Sequence, residues 1–154
     1  VWFIKQRIGN ACGTIGLLHA LLNAPEMVQQ TSIHQGSWLH DFQVSCPTSM
    51  DPIKKAEILE GDPKIRTLHE AATSSEHNQT RRPDIDEEVV THFVSFVEIN
   101  SVLYECDGRK QSPIPHGTCT NLLTDACRVI REFMTRDPDE VRFTILAFAP
   151  HQDE

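Results

Sequence analysis

Apolar and polar positions along the 154 residues change their period several times. Val1-Trp2-Phe3-Ile4 is a short apolar run of strand-forming residues, followed by the polar Lys5-Gln6-Arg7 and by Gly9-Asn10, which predicts a strand and then a turn. From Cys12 onward Ile15, Leu18 and Leu22 recur at helical spacing, with Leu17 and Leu21 beside them, until Pro25 ends the run. A helix this apolar is expected at the centre of the core. A short helix with Trp38, Leu39 and Phe42 follows. Asp51-Pro52 and Asp62-Pro63 then each place a capping carboxylate before a proline that suits the first helical position, and Gly61 stops the first of these two helices. This helical region is expected to be peripheral. Residues 73–88 hold almost no apolar side chain and predict a long exposed loop, a feature that is usually functional or disordered inside a compact domain.

Residues 89–99 and 102–106 are rich in branched and aromatic side chains, and Asn100-Ser101 between them predicts two antiparallel strands joined by a tight turn. After Gly108 comes a proline-broken loop at Pro113-Ile114-Pro115. A helix is predicted from about Asn121 to Met134, with Leu122, Ala126, Val129, Ile130 and Phe133 on one face, and residues 141–148 read as a closing buried strand. The order of strand, several helices, two strands, helix and strand predicts the α+β class with an antiparallel sheet. Residues 1–150 are expected to form one domain and residues 151–154 a tail.

Composition narrows the function classes. Hydrophobic residues make up 39% and charged residues 23%, ordinary values for a globular protein. No apolar run reaches the roughly 20 residues of a membrane-spanning helix, and no secretion signal is seen at the start, so no membrane association and a cytosolic or nuclear location are expected. The formal net charge of −8 repels phosphates, which argues against nucleic acid and for a basic partner. The five cysteines, Cys12, Cys46, Cys106, Cys119 and Cys127, are an odd number at irregular spacing and read as reduced thiols.

Cys12 lies where a turn becomes a helix, and a helix N-terminus stabilises a thiolate through its unpaired N–H groups and partial positive charge. On that ground alone, a small buried structural cysteine is the stronger reading, because free cysteine is among the most buried residue types. A base would change the balance. A hairpin turning at Asn100-Ser101 pairs residues whose numbers add to about 201, which brings His92 opposite a position near 109 and within reach of Asp107. A carboxylate there would hold the imidazole in one tautomer. A strand histidine beside a surface aspartate fits the spacing equally well. Gln6, between the first strand and the helix, is placed to aim its amide at a carbonyl under attack, although a glutamine there is commonly just solvated. His116-x-x-Cys119 with Cys127 lacks a fourth ligand at zinc-site spacing, so no metal is expected, and His19 reads as a satisfied histidine of the central helix.

Read together, the segments KQRIGNACGTIGLLHALLN, THFVSFVEINSVLYECDGRK and FMTRDPDEVRF closely resemble the ubiquitin C-terminal hydrolase family of papain-like cysteine peptidases. The resemblance covers nearly the whole chain. Gly9-Asn10-Ala11-Cys12-Gly13-Thr14 is similar to the family's nucleophile motif, His92-Phe93 to its general-base motif, and Leu103-Tyr104-Glu105-Cys106-Asp107-Gly108-Arg109 to its acid motif, with cysteine where leucine is usual. The resemblance implies Cys12 as nucleophile, His92 as general base, Asp107 as the group that orients it and Gln6 as oxyanion donor. It also implies a papain-like fold, an antiparallel sheet packed between helices with the nucleophile at the N-terminus of a central helix.

Its further implications are a cofactor-free thiol hydrolase that removes small adducts or short peptides from the C-terminal glycine of ubiquitin. Ubiquitin or a ubiquitin-like modifier is the implied partner. The 73–88 loop is the segment that crosses over the active site in this family. The family begins well upstream of this point, so the chain resembles the single-domain branch without its N-terminal portion. It is expected to be a monomer at full length. Two alternatives stay open: an inactive truncated fragment or a ubiquitin-binding module without turnover, and a papain-like transferase that applies the same triad to another acyl donor.

Overall fold

The computed structural model describes residues 1–9, 11–67 and 92–149. Five helices and three strands are used below: α1 (Cys12–Leu22), α2 (Glu26–Ser32), α3 (Trp38–Ser45), α4 (Pro52–Gly61), β1 (Ser95–Ile99), β2 (Val102–Cys106), β3 (Ile114–Thr118) and α5 (Leu122–Met134). The predicted 73–88 loop falls outside the described residues.

The hairpin follows from its turn. Ser95 pairs with Cys106, Val97 with Tyr104 and Ile99 with Val102, so each pair adds to 201 as the turn position requires. Asn100 (φ 53°) and Ser101 (φ 61°) both adopt the left-handed conformation that a two-residue hairpin turn needs to match the twist of its strands. The third strand overturns the expected proline-broken loop: Ile114 and Pro115 pair with Glu105 and Tyr104, in the order β1-β2-β3. Pro115 is tolerated because β3 is an edge strand among the described residues, where a missing N–H costs no ladder bond.

Alternation along β2 divides the core. Leu103 joins Cys119, Ala126 and Val129 beneath α5, with Phe96 and Phe133 against them. Cys106 and Val97 face the other way onto Phe3. Helix α1 packs on β1 from one side and α5 packs on β1 and β2, so the sheet lies between helices. The largest cluster gathers Ile15, Leu18 and Leu22 of α1 with Trp2, Ile4, Phe42, Ala56 and Leu59.

Three expectations fail here, each for a physical reason. Trp2, Phe3 and Ile4 are buried, but residues 1–4 form no strand, because side chains satisfy their backbone: Asn23 accepts from Trp2 N (2.7 Å), His19 Nε2 accepts from Ile4 N (3.2 Å), and Lys55 Nζ donates to Phe3 O (3.2 Å). The helical region is not merely peripheral, since α3 and α4 send Phe42, Ala56 and Leu59 into the main core. Residues 141–148 are neither strand nor buried; Val141 is 83% and Leu146 85% exposed. Strand-forming composition specifies an extended tendency, but a strand also needs a neighbouring ladder, and none of the described strands pairs with this segment. Helix α2, starting just after Pro25, lies in a stretch for which the sequence pattern predicted no element.

Candidate active site

Cys12 is the first residue of α1 and is only partly buried. Ala11, the residue before it, supplies no side-chain cap, so the helix start carries backbone donors at Cys12. Cys127 is likewise partly buried, whereas the remaining three thiols differ. Cys46, Cys106 and Cys119 are buried, and burial pushes each thiol up, that of Cys106 to about 12. Those three are held as inert thiols.

Segment 93–95 lies along the first turns of α1. A side chain at Gly13 would meet the Phe93 ring at 3.8 Å, and one at Gly16 would meet Ser95 Oγ at 3.4 Å and Phe93 Cβ at 3.7 Å. The Ser95 hydroxyl donates to Gly16 O and ties the strand to the helix. His92 directly precedes Phe93 and Cys12 directly precedes Gly13, but no hydrogen bond joins the Cys12 thiol to His92 among the described residues.

His92 and Asp107 come together, but just beyond the ladder: pairing ends at Ser95–Cys106, so His92 precedes β1 rather than lying in the strand expected over residues 89–99. His92 Nε2 lies 2.8 Å from Asp107 Oδ1, and the aspartate side chain is 8% exposed. The same Oδ1 accepts from Arg109 N at 2.9 Å, and Asp107 O accepts from Lys110 N at 2.9 Å, so the carboxylate is anchored in its own turn. An ionised carboxylate offers only acceptors, so His92 carries its proton on Nε2. Nδ1 is left as the basic nitrogen, and it is buried with no hydrogen-bond partner among the described residues.

Gln6 reaches the same turn: Gln6 N donates to Gly108 O at 2.8 Å. Its side-chain amide donates to Ile8 O at 3.3 Å while Oε1 is buried without a partner among the described residues. Gly108 makes this approach possible. A Cβ there would lie 2.8 Å from Ile15 Cγ2, 2.9 Å from Gln6 Cβ and 3.0 Å from Gln6 N, distances that side chains do not tolerate. Sequence reasoning did not assign Gly108 or Ser95 any part in this arrangement. Only the place of Gly108 directly after Asp107 hinted at it, and nothing in the sequence marks Ser95.

His116 and Cys119 do not share a centre. His116 Nε2 pairs with Glu105 Oε2 at 2.9 Å, whereas Cys119 lies buried beneath α5 beside Asp125. His19 is fully buried and stacked on Phe3 at 4.9 Å; Nε2 accepts from Ile4 N, and the backbone of Cys106 lies beside the ring. Burial pulls its pKa down to about 4 from the usual 6.5.

That shift has a signed consequence. Between pH 6.5 and 4 the unfolded chain holds a proton on this histidine that the folded chain does not, so stability falls as pH drops through that window. The full loss is about 3 kcal/mol. His19→Gln keeps an acceptor for Ile4 N–H but does not titrate. Chemical denaturation at several pH values is expected to show a shallower acid slope in this variant, and parallel slopes would contradict the assignment.

The chain is similar to known proteins over most of its length. A family model described as ubiquitin carboxyl-terminal hydrolase, family 1, matches residues 1–135. Ubiquitin carboxyl-terminal hydrolase 3 of Arabidopsis thaliana is 36% identical over 151 residues, 97% of this chain and 61% of that protein. Ubiquitin carboxyl-terminal hydrolase isozyme L1 of Homo sapiens is 39% identical over 149 residues, 96% of this chain and 63% of that protein. The chain thus spans about three fifths of the length of these curated relatives. Among solved structures, the Trichinella spiralis UCH37 catalytic domain bound to ubiquitin vinyl methyl ester superposes with a TM-score of 0.72 at 29% identity, covering 92% of this chain and 60% of that one.

Proposed function

The chain belongs to family 1 of the ubiquitin carboxyl-terminal hydrolases, with their papain-like α+β fold, and on that footing we propose that it hydrolyses bonds to the C-terminal glycine of ubiquitin through a thioester on Cys12. The observation that carries this reading is the His92 Nε2 contact to Asp107 Oδ1 at 2.8 Å, which leaves a buried, unspent Nδ1 on the segment that packs against the start of α1.

His92 Nδ1 removes the Cys12 thiol proton, and the thiolate attacks the glycine carbonyl. The developing oxyanion receives the Cys12 backbone N–H and the Gln6 amide, which must first release Ile8 O. The tetrahedral intermediate collapses, the leaving amine or thiol takes the proton from His92, and the thioester remains. Water then attacks with His92 as base, and free carboxylate and Cys12 thiol are restored. Asp107 stabilises the imidazolium through both steps. The net charge of −8 suits the arginine-bearing tail of ubiquitin and raises the encounter rate.

Incubation with ubiquitin vinyl methyl ester tests the proposal. Covalent capture at Cys12 is the expected result. Reversible ubiquitin binding without capture would support a binding module, and neither would leave an inactive fragment.

A further inference from the structure

The turn that carries Asp107 is held from outside by a side chain that the mechanism does not use. Lys5 Nζ donates to Arg109 O at 3.2 Å and also to Lys110 O. These are the last two carbonyls of the 107–110 turn. Within that turn Arg109 N donates to Asp107 Oδ1, the oxygen that holds His92 Nε2. The neighbouring residue closes the clamp, since Gln6 N donates to Gly108 O at 2.8 Å and the missing side chain of Gly108 lets the two strands of backbone touch. On the other side Lys5 N donates to Pro52 O at 3.2 Å, which fixes the lysine backbone to the start of α4.

From this we infer that Lys5 is a positioning residue for the proposed hydrolase: its ammonium sets the turn that aims Asp107 at His92 and keeps the Gln6 segment in register with it. The inference rests on the hydrolase reading for its effect on turnover. Two carbonyl oxygens pointing at one ammonium form charge-assisted bonds that a neutral side chain cannot replace. Without them the far end of the turn loses its restraint and only the Gln6 N bond to Gly108 O still holds it from outside, so Arg109 N drifts from Oδ1 and the imidazole loses its fixed orientation. Lys5 touches neither the proposed nucleophile nor the base, so its loss is expected in kcat rather than in ubiquitin binding.

The test compares the parent chain with Lys5→Met and Lys5→Arg on a fluorogenic ubiquitin amide, and follows the imidazole N–H proton of His92 by NMR, assigned through its loss in His92→Gln. Lys5→Met is expected to lower kcat roughly ten- to hundredfold, as small misplacements of catalytic groups do, with KM unchanged. The His92 N–H signal should broaden in Lys5→Met while the backbone amide spectrum stays folded, and Lys5→Arg should restore both readouts. A Lys5→Met protein with the parent kcat and a sharp His92 signal overturns the inference, as does a loss that Lys5→Arg fails to rescue. Absence of turnover in the parent chain would sink the hydrolase reading alone, because the His92 signal decides the role of Lys5 without it.

Discussion

Replacing Cys12 by alanine is expected to lower hydrolysis of a ubiquitin C-terminal amide by at least roughly 10⁴-fold. Without the sulfur no thioester forms, and the remaining backbone donors and His92 supply only oxyanion stabilisation and general-base help to water. Cys46→Ala and Cys119→Ala are expected to leave turnover largely unchanged. Both thiols are buried and held protonated by that burial, far from the character of a nucleophile. Steady-state rates of the three variants check this, and substantial turnover by the Cys12 variant would refute the assignment. The fold should survive the change, because Cys12 is only partly buried and alanine suits the first turn of a helix.

Asp107 separates orientation from charge. Asp107→Ala removes the acceptor of both His92 Nε2 and Arg109 N, freeing the imidazole to turn and leaving two donors without partners. A loss of about 10²–10⁴-fold in kcat is expected, the usual range for a general base taken out of position. Asp107→Asn keeps an oxygen, and two donors converging on Oδ1 select the amide rotamer that presents oxygen to them. The tautomer of His92 is then preserved and only the ionic part of the bond is lost, about tenfold. Equal losses in the two variants would show that charge, not orientation, is the contribution of Asp107. An asparagine variant worse than alanine would show that its amide presents nitrogen to the histidine.

How much of this could be read without coordinates follows from the range of the interactions. Local signals were sufficient for the helices that begin on caps: Asp51 accepts from Ile53 N and Lys54 N, and Asp62 from Lys64 N and Ile65 N, as their place before proline implies. The hairpin register was legible for the same reason. A two-residue turn at Asn100-Ser101 leaves one way to pair the strands, and that pairing ends at Ser95–Cys106, from where the chain just beyond the ladder brings His92 to Asp107.

What the sequence could not determine depends on groups far apart in the chain. Whether residues 1–4 form a strand was decided by Asn23, His19 and Lys55, whose side chains take the backbone groups that a ladder would need. Whether residues 141–148 are buried was decided by the absence of a pairing strand among the described residues, which no propensity of Val141, Phe143 or Ile145 can supply. Cys12, His92 and Asp107 were nameable from motifs, but the restraints on them were not. The approach of Gln6 to Gly108, the hold of Lys5 on the 109 and 110 carbonyls and the tie from Ser95 to Gly16 are contacts of about 80 to 105 positions' separation. Hydrogen bonds at that range are specified by how the layers pack, and periodicity and capping along the chain carry no information about them.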